Sequence, residues 1–246
     1  MNYHQQTFQR KKVYVLIILT SLMIPNEVIC EKLGNFGVHF TVASPQGEFR
    51  DNVDRNGYGI SGNGMIRMGL LPMKLGLELG YVRYGSESRR EPLSTTIPDV
   101  TVRVQNDNNI FLGHILLRVQ PPLGPLVKVT PYIDGLVGFN YLFTETKIED
   151  VDKFTEVVSS TNFDDLTLSY GIGGGLMFKL ADLGAPGPGL NIMGILLDIK
   201  VRYLYGGEAE YLKKGSIRRE NGKVFYDATK SKTDLMLYQL GIVFSF

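Results

Sequence analysis

The nine residues from Tyr238 to Phe246, YQLGIVFSF, alternate between large apolar side chains and smaller or more polar ones. One face of such a strand carries Tyr238, Leu240, Ile242, Phe244 and Phe246, and the other carries Gln239, Gly241, Val243 and Ser245. A terminal segment in water usually frays, but this one keeps the two-residue period of a β-strand to its last residue. We therefore expect a strand that is paired along both edges.

Seven further segments show the same period of two, and together they predict an all-β protein with eight antiparallel strands. The segments are Gly34–Ala43, Tyr58–Leu70, Met73–Tyr84, Asn109–Val119, Val127–Phe143, Leu166–Leu180 and Asn191–Tyr205, and the eighth starts near Thr233. The fourth is apolar on both faces, so its polar face is assigned from His114 and Arg118.

The connections between these segments alternate between long and short. The long polar connections are 44–56, 85–108, 144–165 and 206–232, and the short ones are 71–72, 120–126 and 181–189. In an up-and-down arrangement, this order places all four long loops at one end. The short turns and both termini lie at the other end.

The N-terminus has the pattern of a secretory signal peptide. Arg10, Lys11 and Lys12 precede the 12-residue apolar run Val13–Ile24, which is too short to span a bilayer as a helix. Cleavage after Cys30 divides the chain into a signal peptide, 1–30, and a mature domain, 31–246. The alternative is that Cys30 is lipid-modified. On the first interpretation the mature chain has no cysteine, which excludes disulfides and thiol catalysis.

Two arrangements of an eight-stranded barrel are compatible with alternation, and they differ in which face is inside. The apolar faces here are continuous, with aromatic residues near the strand ends, while the opposite faces hold glycines and isolated charges of both signs. After residue 30 no apolar run reaches 18 residues, so the membrane-spanning elements would be strands. The pattern favours a closed transmembrane barrel with its apolar face toward lipid.

With these features the mature chain resembles the eight-stranded outer-membrane β-barrel family, of the OmpA-barrel and OmpX-like type. The resemblance implies an integral protein of a Gram-negative outer membrane, with periplasmic termini and outer-membrane lipids as partners. It also implies that the barrel-assembly machinery recognises the terminal strand through Tyr238, Leu240, Ile242, Phe244 and Phe246. We expect no peptidoglycan-binding domain beside the barrel.

The polar faces predict a network inside the barrel, made of His39, Arg67, Lys74, Glu78, His114, Arg118, Asp134, Lys179, Asp198, Lys200 and Arg202. Arg67 and Glu78 flank the turn at 71–72, and we expect them to be in contact. An eight-stranded barrel is narrow enough for its own side chains to fill it, which favours a plugged interior over a pore. Two histidines give no metal-site spacing, and we expect no metal, cofactor or catalytic residue. The run Gly171–Gly175 lies within a strand and indicates close packing rather than a phosphate loop.

The long loops carry opposite charges. Segment 144–165 has seven acidic residues and two lysines, whereas segment 206–232 has seven basic and four acidic residues. The acidic stretch lacks the ligand spacing of a calcium loop, so the simplest interpretation is a solvated surface on which an extracellular ligand can bind. Removing residues 1–30 leaves 23 basic and 24 acidic residues, a balance that argues against nucleic-acid binding.

Three functions remain open from the sequence. The first is a non-enzymatic barrel with a structural or surface-interaction role carried by its loops. The second is a small passive channel for a minor solute. The third is a lipid-modifying enzyme, which is disfavoured because Ser61 and Ser169 face inward and no histidine faces lipid.

Overall fold

The computed structural model of the protein describes residues 33–69, 71–92, 101–121, 127–150, 156–183, 192–213, 215–220 and 223–246. The predicted signal peptide and Cys30 lie outside the described residues, and so do Leu70 and the turn residues 122–126 and 184–191. The division at residue 30 therefore stays a prediction.

Eight long strands form a closed antiparallel barrel, which confirms the predicted fold class. Seven neighbour pairs are consecutive long strands, and the eighth joins the last strand to the first. The strands are β1 Gly34–Pro45, β2 Gly57–Arg67, β3 Met73–Pro92, β4 Thr101–Val119, β5 Val129–Asp150, β6 Glu156–Asp182, β7 Gly194–Gly206 and β12 Leu235–Ser245. The shorter strands β8 to β11 lie between β7 and β12 and are described below.

The pairing register sets the tilt and width of the barrel. We followed the paired residues once around the barrel, starting at Asn35 of β1 and passing through each strand in turn. The last pairing leads back to β1 at Pro45, ten residues further along. With eight strands and ordinary strand spacing, this stagger corresponds to a tilt of roughly 40° and a backbone radius of about 8 Å. A tube of this width is filled by one layer of large side chains from each wall.

The last strand, β12, pairs with β1 on one side and with β7 on the other. The pairing with β1 continues to Ser245, and backbone hydrogen bonds extend it to Phe246. The regular alternation of YQLGIVFSF therefore has the cause that the sequence predicted, because both edges of the strand are paired.

Two of the four predicted long loops are mostly strand, which corrects the sequence analysis. Within 85–108, β3 and β4 pair out to Pro92 and Thr101, and within 144–165, β5 and β6 pair out to Glu149 and Glu156. Polarity suggested loops there, but a hairpin in water needs only its backbone pairing and not an apolar face. The apolar pattern stops well before the strands do.

The other two long connections also contain regular structure. Segment 44–56 includes the short helix α1, Gly47–Asn52. Segment 206–232 contains β8 Glu208–Tyr211, β9 Ile217–Glu220, β10 Lys223–Tyr226 and β11 Thr229–Lys232, which form two separate two-stranded sheets, β8 with β11 and β9 with β10. We call the end that holds these connections the loop end. The turn end holds the described residues 68–69, 71–72, 120–121, 127–128, 183 and 192–193, together with Gly34 and Phe246.

The outer surface of the barrel is apolar. Its exposed side chains include Val38, Phe40, Ile60, Leu77, Leu79, Ile115, Ile133, Val137, Leu168, Tyr170, Ile172, Val201 and Leu240. Aromatic rings meet near both ends: Phe36 stacks on Phe244 at 5.0 Å near the turn end, and Tyr170 stacks on Tyr205 at 5.3 Å near the loop end. In the described part of the chain, no helix combines the length and apolarity needed to cross a bilayer.

Candidate functional site: the barrel interior and its loop-end mouth

Six ionisable side chains of opposite sign meet inside the barrel. Three are acids and three are bases, and none is more than 3% exposed: Glu78, Asp134, Asp198, Arg118, Lys200 and Arg202. We call this set the charge network. Its formal charges cancel, which is the condition under which buried charges are tolerated, because each finds an opposite partner at hydrogen-bond distance.

Arg202 is the centre of the charge network. Its guanidinium donates to Oε1 of Glu78 on β3 and to Oδ2 of Asp134 on β5, the latter at 2.6 Å. Lys200, two residues earlier on β7, donates to the other oxygen of Glu78 at 3.2 Å. Gln239 on β12 adds a neutral donor to Glu78 at 3.3 Å. Strands β3, β5, β7 and β12 are thereby linked through the side chains of Lys200, Arg202 and Glu78.

Asp134 is held by a second guanidinium. Arg118 on β4 donates from Nε and Nη2 to the two carboxylate oxygens of Asp134, at 2.7 and 2.9 Å. The Arg118 guanidinium also lies 3.5 Å from the ring centre of Tyr132. A bidentate carboxylate pair stacked on an aromatic ring is a geometry that lysine does not reproduce.

Asp198 completes the network on the turn-end side. It accepts hydrogen bonds from the Tyr132 hydroxyl at 2.6 Å and from Nε2 of His39 at 2.9 Å, and Lys200 lies 3.8 Å away. His39 is therefore a buried hydrogen-bond partner of a carboxylate. No group of three or more potential metal ligands occurs among the residues that the structure describes.

The glycines of β6 make room for the charge network. A Cβ on Gly173 would come within 2.3 Å of Cγ of Arg202, and one on Gly175 within 2.5 Å of the Tyr132 hydroxyl. The run Gly171–Gly175 lies within β6, opposite the bulkiest interior side chains. It is therefore a packing feature and not a phosphate loop, as the sequence indicated.

Three predicted network residues lie elsewhere. Arg67, Lys74 and Lys179 are partly exposed at the turn end, and Lys179 pairs with Asp182. The predicted contact between Arg67 and Glu78 is wrong, because the register sets Arg67 opposite Lys74 and Glu78 opposite Asn63. The turn at 71–72 suggested that these two side chains would be close. However, β2 ends at Arg67 and β3 begins at Met73, and Glu78 lies four residue pairs further from the turn than Arg67.

Sequence reasoning placed Tyr132 and Gln239 on interior faces but did not assign them to the network. Gln239 links Glu78 to Thr41 and Ser61, donating to Ser61 Oγ at 2.7 Å. Tyr132 shares the strand phase of Asp134, and Gln239 lies on the less apolar face of the final strand, so the two-residue period was sufficient to find them. Their uncharged side chains gave no electrostatic reason to include them.

The second predicted histidine, His114, contacts a serine in an arrangement that superficially resembles a hydrolase. Its Nε2 lies 2.5 Å from Oγ of Ser169, and that hydroxyl donates to Oδ1 of Asn140 at 3.0 Å. With the Asn140 amide in this orientation, the Ser169 hydroxyl donates to Asn140 and accepts from Nε2 of His114. All three residues are buried within the barrel.

Above the charge network, toward the loop end, the interior is apolar. Ala43, Val82, Leu112, Leu204 and Leu237 belong to one buried cluster that continues into the mouth. There Phe49 of α1 is fully buried, with its ring 5.7 Å from Tyr84 and 5.0 Å from Tyr211, both edge-on. Burial raises the pKa of the Tyr211 hydroxyl, which is hydrogen-bonded to Ser231 at 2.8 Å. We call these three rings the aromatic cap.

Comparisons with known proteins find distant structural likenesses. No protein-family model and no curated protein sequence matches the chain. Neisserial surface protein A is similar in structure, at 12% identity over 87% of this chain and 96% of that one, with a TM-score of 0.40. A major outer membrane protein from Thermus thermophilus has 11% identity, covers 87% and 99%, and scores 0.41. The N-terminal β-barrel domain of Pseudomonas aeruginosa OprF has 13% identity, covers 88% and 100%, and scores 0.30. Likenesses this distant carry no argument about function.

Proposed function

We propose that the protein is an integral outer-membrane barrel, closed to solutes, that acts through the surface at its loop end. The observation that carries this proposal is the inversion of the two faces: the charges are inside and the apolar side chains are outside. Leu168 is 78% exposed and Val137 58%, while Arg202 and Asp134 are fully covered. A soluble barrel would gain free energy by the opposite arrangement.

Closure of the sheet supports insertion in a bilayer. In hydrocarbon every backbone N–H and C=O must be paired within the protein, and a closed barrel satisfies this condition along its wall. β12 completes the wall by pairing with β1 and β7. The rings near each end, including Phe244 and Tyr205, are suited to the two interfaces, where aromatic side chains are favoured.

The filled interior favours the closed barrel over a passive channel. A solute would have to break the contacts of Arg202 with Glu78 and Asp134, and then displace the apolar cluster around Leu204 and the aromatic cap. Breaking a buried ion pair without replacing it is costly. The interior thus supports a structural role, and transport remains the second candidate function.

An enzymatic role in the barrel wall is not part of the proposal. The contact between Ser169 and His114 is buried on the interior side of the wall, away from lipid. Partners of the protein would be outer-membrane lipids around the wall and the barrel-assembly machinery during insertion. An extracellular ligand would bind at the loop end, within 144–165 or 206–232.

Those two segments touch at the loop end. The backbone N–H of Glu210 donates to Oδ2 of Asp165 at 2.7 Å, which joins the acidic hairpin of β5 and β6 to the more basic connection between β7 and β12. The surface formed there is a continuous structure rather than four independent loops. This continuity supports an interaction role for the loop end.

Insertion is tested by placing a charge on the outer wall. We expect Val137→Arg to reduce the fraction of heat-modifiable protein in carbonate-washed outer membranes, because arginine near the bilayer midplane costs roughly 2–4 kcal/mol. The matched control is Tyr226→Arg, at an exposed position of β10 at the loop end. Equal recovery of both variants would favour a soluble barrel, in which Val137 simply meets water.

Closure is tested by single-channel recording of the folded protein in planar lipid bilayers. We expect no sustained, well-defined open state, because the charge network and the aromatic cap fill the same tube. Long-lived open states of uniform conductance in the parent protein would overturn the closed barrel and favour the channel.

A further inference from the structure

A cleft opens beside the aromatic cap, at the loop end. Three separate pieces of the chain form its walls: the residues that follow α1, the middle parts of β3 and β4, and the segment from the end of β8 to the start of β9. The space between them is about 610 Å³, counting the part open to solvent. Buried Val53, Tyr84 and Leu212 form an apolar base. The charge network is not part of this cleft.

Two amides line the cleft with unused donors. Asn106 and Asn108 lie two residues apart on β4, and both side chains are buried. The Oδ1 of Asn108 accepts from Thr144 at 2.9 Å, and that of Asn106 accepts from Thr146 at 2.5 Å. Neither Nδ2 donates to any group in the described part of the chain. With the amides in this orientation, the N–H groups are available to a ligand.

The backbone is adapted to present these amides. The register of β3 and β4 shifts between Arg83 and Gly85, so Tyr84 is an extra residue at a bulge beside the cleft. A Cβ on Gly85 would come within 3.0 Å of Nδ2 of Asn108, so glycine leaves the space that this amide occupies. Bulges often re-aim side chains next to binding sites. Tyr84 is in phase with the inward Val82, and the bulge after it brings Gly85 and Glu87 onto the face that carries Asn106 and Asn108.

The same wall offers an acceptor, because Glu87 of β3 is the cross-strand neighbour of Asn106. Glu87 uses Oε2 to accept from the backbone N–H of Gly215 at 3.1 Å, and no described donor reaches its Oε1. The ionisable residues that line the cleft balance: Asp54 and Glu87 are acidic, and Arg55 and Lys213 are basic. An anionic ligand would need an excess of bases, and a metal ion would need a cluster of acids, and the lining provides neither.

We infer that the cleft binds a neutral glycan. Sugar hydroxyls accept from the Asn106 and Asn108 amides and donate to Glu87, while the apolar base beneath them covers a sugar C–H face. Amides, a carboxylate and an aromatic residue around a charge-balanced cleft suit a neutral polyol better than a phosphate or a sulfated chain. The inference rests on the proposed function only for placing this cleft outside the cell.

The test is a glycan array probed with the folded full chain in lauryldimethylamine oxide, a detergent without a sugar headgroup. The array carries neutral and sulfated oligosaccharides. We expect binding to neutral glycans, competed by the free sugar. The double variant Asn106→Asp, Asn108→Asp keeps the acceptors for Thr144 and Thr146 but removes the N–H donors. It should weaken binding at least tenfold, since two hydrogen bonds are lost.

The control is Gln120→Glu, which makes the same amide-to-carboxylate change at the turn end and should leave binding unaltered. Heat modifiability on gels establishes that each variant is folded, and Gly85→Ala serves as a second variant that crowds the Asn108 amide. Absence of binding by the parent, binding confined to sulfated glycans, or equal binding by parent and folded variants would each overturn the inference. None of these results bears on insertion or conductance, so the proposed function is tested separately.

Discussion

Gly34 and Phe246 exchange a pair of backbone hydrogen bonds, with each N–H donating to the carbonyl oxygen of the other residue at 3.1 Å. The two residues lie at opposite ends of the described barrel chain, and their pairing is the last step in closing the wall at the turn end. The ring of Phe246 also covers Gly34, where a Cβ would come within 2.8 Å of the ring. The terminal residue is thus part of the seam and not a tail.

Deleting Phe246 should impair insertion far more than one lost interfacial contact, which is worth roughly 1.5–3 kcal/mol. The deletion removes both seam hydrogen bonds and, on the family resemblance, part of the signal read by the assembly machinery. Ser245→Ala is the control, since its hydroxyl makes one hydrogen bond to Gly194 at 3.3 Å. The readout is the heat-modifiable fraction in the outer-membrane pellet. Equal insertion of deletion and parent would show that the terminus is only a strand end.

Glu78→Gln should lower the free energy of unfolding by about 3–5 kcal/mol, because it leaves Arg202 and Lys200 without a shared carboxylate. Lys179→Ala at the turn end disturbs a partly exposed pair with Asp182 and should cost about 0–1 kcal/mol. Urea titration of the protein folded in lipid vesicles, followed by gel mobility, measures both. Similar midpoints for the two variants would mean that the charge network is not a stabilising element.

The aromatic cap should be the main apolar contribution to stability at the loop end. Phe49→Ala empties a fully buried site between Tyr84 and Tyr211 and should cost about 3–5 kcal/mol. Phe225→Ala removes a ring that is 51% exposed and should change stability by less than about 0.5 kcal/mol. The temperature at which the folded gel band disappears compares the variants. If the folded bands of the Phe49→Ala and Phe225→Ala variants disappeared at equal temperatures, the aromatic cap would not be stabilising the loop end.

Trypsin added to intact cells should cleave after Lys213, which is exposed between β8 and β9 at the loop end. Lys128 is equally exposed but lies at the turn end, so it should be cut only after the outer membrane is permeabilised. Replacing both Lys213 and the adjacent Lys214 with glutamine should remove the first cleavage without affecting the second. Early cleavage at Lys128 in intact cells would place the turn end outside and reverse the proposed orientation.

Much of the barrel interior was predictable because a strand has a period of two. Arg118 set the phase of β4, and the alternation of β3, β5 and β7 placed Glu78, Asp134 and Asp198 on their inward faces. Which interior side chains form ion pairs with one another was not predictable in the same way. Glu78 contacts Arg202 across the barrel and not Arg67 on the adjacent strand. The stagger of ten residues places Glu78 and Arg202, from distant strands, at the same level along the barrel axis.

The cleft and the aromatic cap left no comparable signal. Phe49 lies in a polar stretch that was predicted as a loop, and its burial depends on Tyr84 and Tyr211, which are 35 and 162 positions away along the chain. Asn106 and Asn108 fall in a segment that was also predicted as a loop. The bulge at Tyr84 lies beside both the cleft and the aromatic cap. It is an irregularity in backbone pairing, and no residue type in the sequence predicts it.

The sequence by itself determined the number of barrel strands, their inward and outward faces, and the pairing of the final strand on both sides, because alternation is a local property of a pleated backbone. Only the tertiary structure decided which charges meet, how far the hairpins extend beyond the apolar wall, and which loop residues close the mouth. Those outcomes depend on register, stagger and packing between segments far apart in the chain. Local periodicity carries no information about such distances.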